Sequence, residues 1–342
     1  MPFDLADTLE FLRAEVAPRA AAFDRDPEAL EQGLRLLGSR GLLALRAPAA
    51  LGGPDVSPAD YGRFQEGLAR ASGALAFLQT QHQSAAAMLA ASDAQGLAQA
   101  YVPHMGSGAR RLGIGFGHLR RPGPPPVTAR EVEGGYRFAG ELPWVTGQGF
   151  FPEFVGAAAL PDGSAVFAVL PLVDGAGVRV GPPAELAVME VTRTVNVRLD
   201  DLLVPRERVV ALQPPGWIAE VDRRSVRARA HQALGCARAA LDALAAVAAR
   251  SSGAPAALAA LEAELEACRR AVFEEQGDAL EVRAHAIELA ARAGHAAVTA
   301  AAGSGLLRER AAQRIYREAL AYTVLGQSPA VRDATLARLA RR

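Results

Sequence analysis

The chain of 342 residues has only two cysteines, Cys236 and Cys268, and neither sits in a CxxC pair or a Cys/His spacing. That excludes a disulfide framework and a thiolate metal site, and the expectation is two reduced, partly buried thiols. The six histidines also lack ligand spacing such as HExxH, so no metal is predicted. Long apolar runs are missing: half of the residues are hydrophobic, yet Arg, Glu or Gly interrupts every run well short of a bilayer's width. No membrane span is expected. An excess of either charge is missing too, because Lys+Arg and Asp+Glu both number 37. Without a global basic field the chain is not a nucleic-acid binder, and any anion site must be local. The amino-terminal MPFDLADTLEFLRAEV carries acids where a secretory signal needs bases, and the reading is a cytoplasmic protein. Lysine is absent while Ala and Arg abound. This bias reads as nucleotide composition, so alanine counts for less than usual as a helix signal.

What is present falls into three stretches. Leu5, Leu9, Leu12, Val16 and Phe23 share one face of a predicted helix over 4–23, and further helices are predicted at 27–39, 58–72, 74–92 and 93–104. From Arg111 to about Leu212 the pattern becomes short apolar segments between turns, among them GYRFAGE, EFVGAAAL, SAVFAVLPL and TVNVRLDDLLVP, with Asp162-Gly163 as a hairpin signal. After Pro214-Pro215-Gly216 helical periodicity returns near 217–250, 256–276, 278–302, 308–324 and 329–341. The fold class is therefore α+β, mainly α. Its predicted units are a helical domain over 1–108, a barrel-like β-domain over 109–213 and an antiparallel helical bundle over 214–342.

Five stretches in this order resemble the acyl-CoA dehydrogenase superfamily: GLLALRAPAALGGPDVSPADYGRFQEGLAR, GYRFAGELPWVTG, VNVRLDDLLVP, HQALGCARAALDALAAVAAR, and AAGSG with RIYREAL. The resemblance implies a noncovalent FAD between the β-domain and the bundle, in a homodimer or homotetramer, with an acyl-CoA substrate and an electron-transfer flavoprotein or flavin reductase as possible partners. It implies that Trp144 packs on the flavin while Thr146 and the following backbone, Gly147 included, bond its polar edge. By residue type alone, Trp144 as core filler and Thr146 as a strand end stand equally open. The resemblance also places Arg250, Gly303, Gly305 and Ser328 near the cofactor.

The chain departs from the family where chemistry is normally done. A carboxylate usually removes the proton alpha to the thioester, but the matching stretch Tyr322–Ser328 contains no acid, and Gly326 stands at the expected position. Glu220 and Asp222 are near the alternative position at Ser225 but out of helical phase with it, and they read as a solvated face. The family's flavin-contacting loop corresponds to His118–Pro124, where Arg120 and Arg121 offer charge for phosphates or form an exposed turn. His82 and His118 are candidate proton carriers, each weighed against a hydrogen-bonded filler. The functions compatible with this pattern are oxidation of an acyl thioester, a monooxygenase using reduced flavin and oxygen, and a ligand-binding relative that has lost catalysis.

Overall fold

A computed structural model describes residues 3–340. Its first third is helical: α1 (Leu5–Phe11), α2 (Ala20–Phe23), α3 (Pro27–Ser39), α4 (Pro58–Ala71), α5 (Gly73–Ala90) and α6 (Gln95–Met105). Local chemistry sets several starts. Asp26 and Ser57 each cap a helix that has proline in its first turn, and Ser72 accepts from the Leu75 N–H to start α5. The single helix expected over 4–23 is instead interrupted between α1 and α2 by a π turn (Leu12–Val16) and a 3-10 turn (Ala17–Arg19). Pro18 lies in that 3-10 turn and has no N–H to continue the ladder.

The middle third is one eight-stranded sheet: β1 (Leu112–Gly115), β2 (Val127–Val132), β3 (Gly135–Val145), β4 (Glu153–Ala159), β5 (Ala165–Pro171), β6 (Val178–Val180), β7 (Val195–Pro205) and β8 (Val209–Gln213). The order is β6-β7-β3-β2-β4-β5-β8, with β1 pairing parallel to β4. Strand β8, absent from the segments singled out in the sequence, pairs with β5. The long β3–β7 ladder shifts register between Leu142 and Val145, which turns Trp144 out of the alternation.

The last third comprises α7 (Trp217–Ser225), α8 (His231–Ala245), α9 (Ala254–Phe273), α10 (Ala279–Ala301), α11 (Ala311–Val324) and α12 (Pro329–Leu339). Where one helix was expected over 217–250, the chain breaks at a 3-10 turn, Ala228–Ala230. Arg227, just before it, donates to the carbonyls of Ala271, Gln276 and Gly277 and so ties the break to the end of α9. Helix α8 packs closely on α4, because a Cβ at Gly235 would stand 2.1 Å from the Glu66 carbonyl oxygen. One continuous apolar core links all three thirds, and both cysteines are buried and unpaired in it. Among the described residues, no helix is long and apolar enough to cross a membrane.

Candidate functional site

Two corners of the molecule gather the residues that matter. The first lies at the end of β3. Trp144 has φ 61, a left-handed backbone that a bulky side chain rarely adopts, and its side chain is 56% exposed. Thr146, two residues on, is buried and shares a 2.9 Å hydroxyl–hydroxyl bond with Thr194. One hydroxyl donates to the other, so the second keeps its hydrogen for a third partner. Gly147 has φ 103, and a Cβ there would meet the Phe151 ring at 2.2 Å. Its N–H donates to the Thr192 carbonyl, and Arg193 donates to the Gln148 side chain at 2.7 Å.

Arg193 carries this corner into a cavity of about 710 Å3, walled on one side by Val191 and Arg193 and on others by Asp24, Arg25, Leu306 and Arg308. One strained residue, Arg193, lines it. Trp144, Met189, Arg193 and Ala302 are four of the seven non-glycine residues with positive φ among the described residues. Arg193 was not singled out in the sequence, and its only signal was a cation beside the threonines of VTRTVNV. A smaller cleft of about 410 Å3 opens in the helical domain, where Asp7 is already paired with Arg40 and Asp4 caps α1.

The second corner surrounds Gly326. This residue follows α11 with φ 59, and its carbonyl accepts from Arg229 at 3.2 Å and from Arg283 at 3.3 Å. Arg283 also donates to the Leu325 carbonyl at 2.8 Å. Asp222 is buried, not solvated as its sequence context suggested: Arg120 grips it through contacts of 2.8 and 2.9 Å, and Arg229 approaches to 2.9 Å. Arg120, one of the two phosphate candidates, is thereby committed to an internal partner, whereas Arg121 is exposed. Burial, with help from Arg229 and against the pull of Asp222, lowers the Arg283 pKa to about 10. It remains a cation at neutral pH. The sequence did offer a signal here, a lone Arg283 on the face of α10 that also carries Ala286, Ile287 and Ala290.

The other candidates scatter between structural tasks. His82 is fully buried, accepts from the Leu112 N–H at 3.1 Å and donates from its other nitrogen to the Met105 carbonyl at 3.0 Å. That neutral tautomer pins α5 to β1 and leaves neither nitrogen free. His118 is 2% exposed in the 3-10 turn Gly117–Arg120, with no hydrogen-bond partner at either ring nitrogen. Burial and Arg121 push its pKa down to about 4 against a weaker pull from the Ala157 backbone. Ser328 caps α12 by accepting from the Val331 N–H. Gly303 faces open space, and Gly305, in the 3-10 turn Ala302–Leu306, packs against Ala301 and Val298 at the end of α10. Arg250 ends the 3-10 turn Ala248–Arg250, and its side chain lies outside the described residues.

No curated protein matches this sequence. Residues 5–109 match the family description "Acyl-CoA dehydrogenase, N-terminal domain". Among solved structures, butyryl-CoA dehydrogenase from Megasphaera elsdenii superposes with a TM-score of 0.80 at 19% identity, each chain covered in full. FkbI, described as acting in biosynthesis of the methoxymalonyl extender unit of the polyketide Fk520, gives 0.79 at 22% identity, with 99% of each chain covered. An acyl-CoA dehydrogenase complexed with FAD from Bacillus anthracis gives 0.81 at 18% identity, over 98% of this chain and 65% of that one. The chain thus has the fold of the acyl-CoA dehydrogenase superfamily from end to end, and its helical first third matches that family's own N-terminal domain.

Proposed function

We propose that the chain is a flavoprotein that holds FAD at the Trp144 corner and oxidises an acyl thioester or a related substrate. The observation that carries this reading is the corner itself: an exposed indole on strained backbone, followed by a buried hydroxyl pair and a glycine. The residues present fit a flavin. Trp144 offers a ring face for packing, the Thr146–Thr194 pair keeps one donor hydrogen for a polar ring edge, and Arg193 and its neighbours give the adjoining cavity cations suited to a pyrophosphate. Bound FAD would supply the hydride acceptor. A homo-oligomer fits the exposed apolar stripe of Tyr316, Leu320 and Val324 on α11.

Position 326 offers backbone carbonyls and two guanidiniums in place of a carboxylate, so no base acts from there. That observation favours a second reading, a monooxygenase of the same fold using reduced flavin and oxygen. Gel filtration after incubation with FAD tests the shared premise. The expected result is a yellow protein whose retention of FAD falls about tenfold in Trp144→Ala. A wild-type protein that stays colourless overturns the flavin reading and leaves the ligand-binding one. Anaerobic bleaching by acyl-CoA esters, against oxygen uptake that depends on a flavin reductase, separates the two chemistries.

A further inference from the structure

The hydroxyl pair at the end of the β3–β7 ladder has a direction, and that direction decides what the pair can do. Val145 and Val195 are the last partners of the ladder, so Thr146 and Thr194 stand opposite one another one step beyond it. Two backbone bonds hold them there: the Gly147 N–H donates to the Thr192 carbonyl and the Gln148 N–H to the Arg193 carbonyl. Arg193, on its left-handed backbone, adds a 2.7 Å bond to the Gln148 side chain. Both threonines are only 3% exposed, and among the described residues neither hydroxyl has a second partner.

A hydroxyl carries one hydrogen and two lone pairs, so only one of the two threonines can donate across the 2.9 Å between them. If Thr146 donates, its hydrogen is spent inside the pair. If Thr194 donates, Thr146 keeps its hydrogen, and its oxygen, already accepting a bond, makes it the stronger donor. Thr146 follows two residues after the exposed Trp144 indole, where the flavin reading places the ring. A reduced flavin gathers negative charge, and a donor already aimed at that charge stabilises it.

We infer that Thr194 is a positioning residue for the flavin: its hydroxyl donates to Thr146 Oγ1, leaves the Thr146 hydrogen for the polar edge of the ring, and so favours the reduced form over the oxidised one. The inference rests on the flavin reading and adds to it a residue that acts through Thr146. No proton leaves either hydroxyl; the pair only fixes which one donates.

Midpoint potentials of FAD bound to the full chain test it, together with thermal unfolding of the same proteins without FAD. Thr194→Val should favour the oxidised form about tenfold, a fall of about 30 mV for the two-electron couple, while FAD is still retained. Thr194→Ser restores the hydroxyl and should return the potential to the wild-type value. Thr146→Val should lower it at least as far, and adding Thr194→Val to that variant should shift it no further, because the second threonine acts through the first. A role confined to pinning β3 to β7 would lower the melting temperature of Thr194→Val and leave the potential alone. Thr194→Ala removes the same hydroxyl if the valine variant fails to fold. An unmoved potential, an equal shift in both backgrounds, or a serine variant that behaves like the valine one would each overturn the assignment. A wild-type protein that stays colourless with FAD would sink the flavin reading and the role of Thr194 with it, whereas a yellow protein whose potential ignores Thr194 sinks only the latter.

Discussion

The Trp144 and Gly326 corners face the same question in opposite ways. At Trp144 the fold tolerates backbone strain to hold an aromatic face out of the core. At Gly326 the chain turns on a left-handed glycine whose carbonyl is held by two guanidiniums. Strain that serves no packing purpose points to a binding role, whereas a corner closed by ion pairs and carbonyl hydrogen bonds points to a structural one.

The sharpest way to break that comparison is to remove the one acid that holds the cationic corner together. Asp222→Ala leaves Arg120 and Arg229 without their shared partner in a buried setting, and the expected loss is about 3–5 kcal/mol in urea denaturation. Asp222→Asn should cost less, since it keeps hydrogen bonding but not charge. A loss below about 1 kcal/mol in Asp222→Ala would mean that water screens the cluster, and the contrast between a closed cationic corner and an open aromatic one would fall.

A second test concerns the turn that links the two corners, where His118 is buried two residues before Arg120. Its folded pKa, about 4, lies below the ordinary histidine value of 6.5. The unfolded chain therefore binds this proton more readily, and stability is lost as pH falls from about 6.5 towards 4. Between pH 7 and pH 5 the loss from this one group comes to about 2 kcal/mol. Denaturation midpoints across that range should fall more gently in His118→Gln. Equal slopes in the two proteins would mean that the imidazole reaches solvent.

Much of this architecture was legible in the sequence because periodicity reports burial. The helices at 27–39 and 58–72, and the strands carrying GYRFAGE and EFVGAAAL, follow from apolar spacing that packing then enforces. What escaped was long-range. Asp222 looked solvated because its own helix shows nothing of Arg120, about a hundred residues earlier, or of Arg229 beyond the break after α7. The break itself is tied by Arg227 to carbonyls at the end of α9, a contact that no local pattern encodes. For His82 the choice between proton carrier and hydrogen-bonded filler stayed open because a histidine's two partners, here the backbone of Met105 and Leu112, are invisible in one dimension. The Trp144-Val145-Thr146 tripeptide was legible as a motif. Its positive φ and the register shift beside it were not, since they arise from pairing with β7.

The smallest expected effect is the most telling, because it sets stability against binding at one residue. Asparagine accepts the left-handed backbone that tryptophan resists, and an indole already 56% exposed gives up little buried area on removal. Trp144→Asn should therefore raise stability by about 1 kcal/mol in urea denaturation while it lowers retention of FAD. Trp144→Phe keeps both a ring and the strain, and it should leave stability near wild type with intermediate retention. If Trp144→Asn instead destabilises the protein and still takes up FAD as wild type does, the indole serves packing. The strain at the end of β3 would then be a by-product of the β3–β7 register, and the two corners would differ in history but not in function.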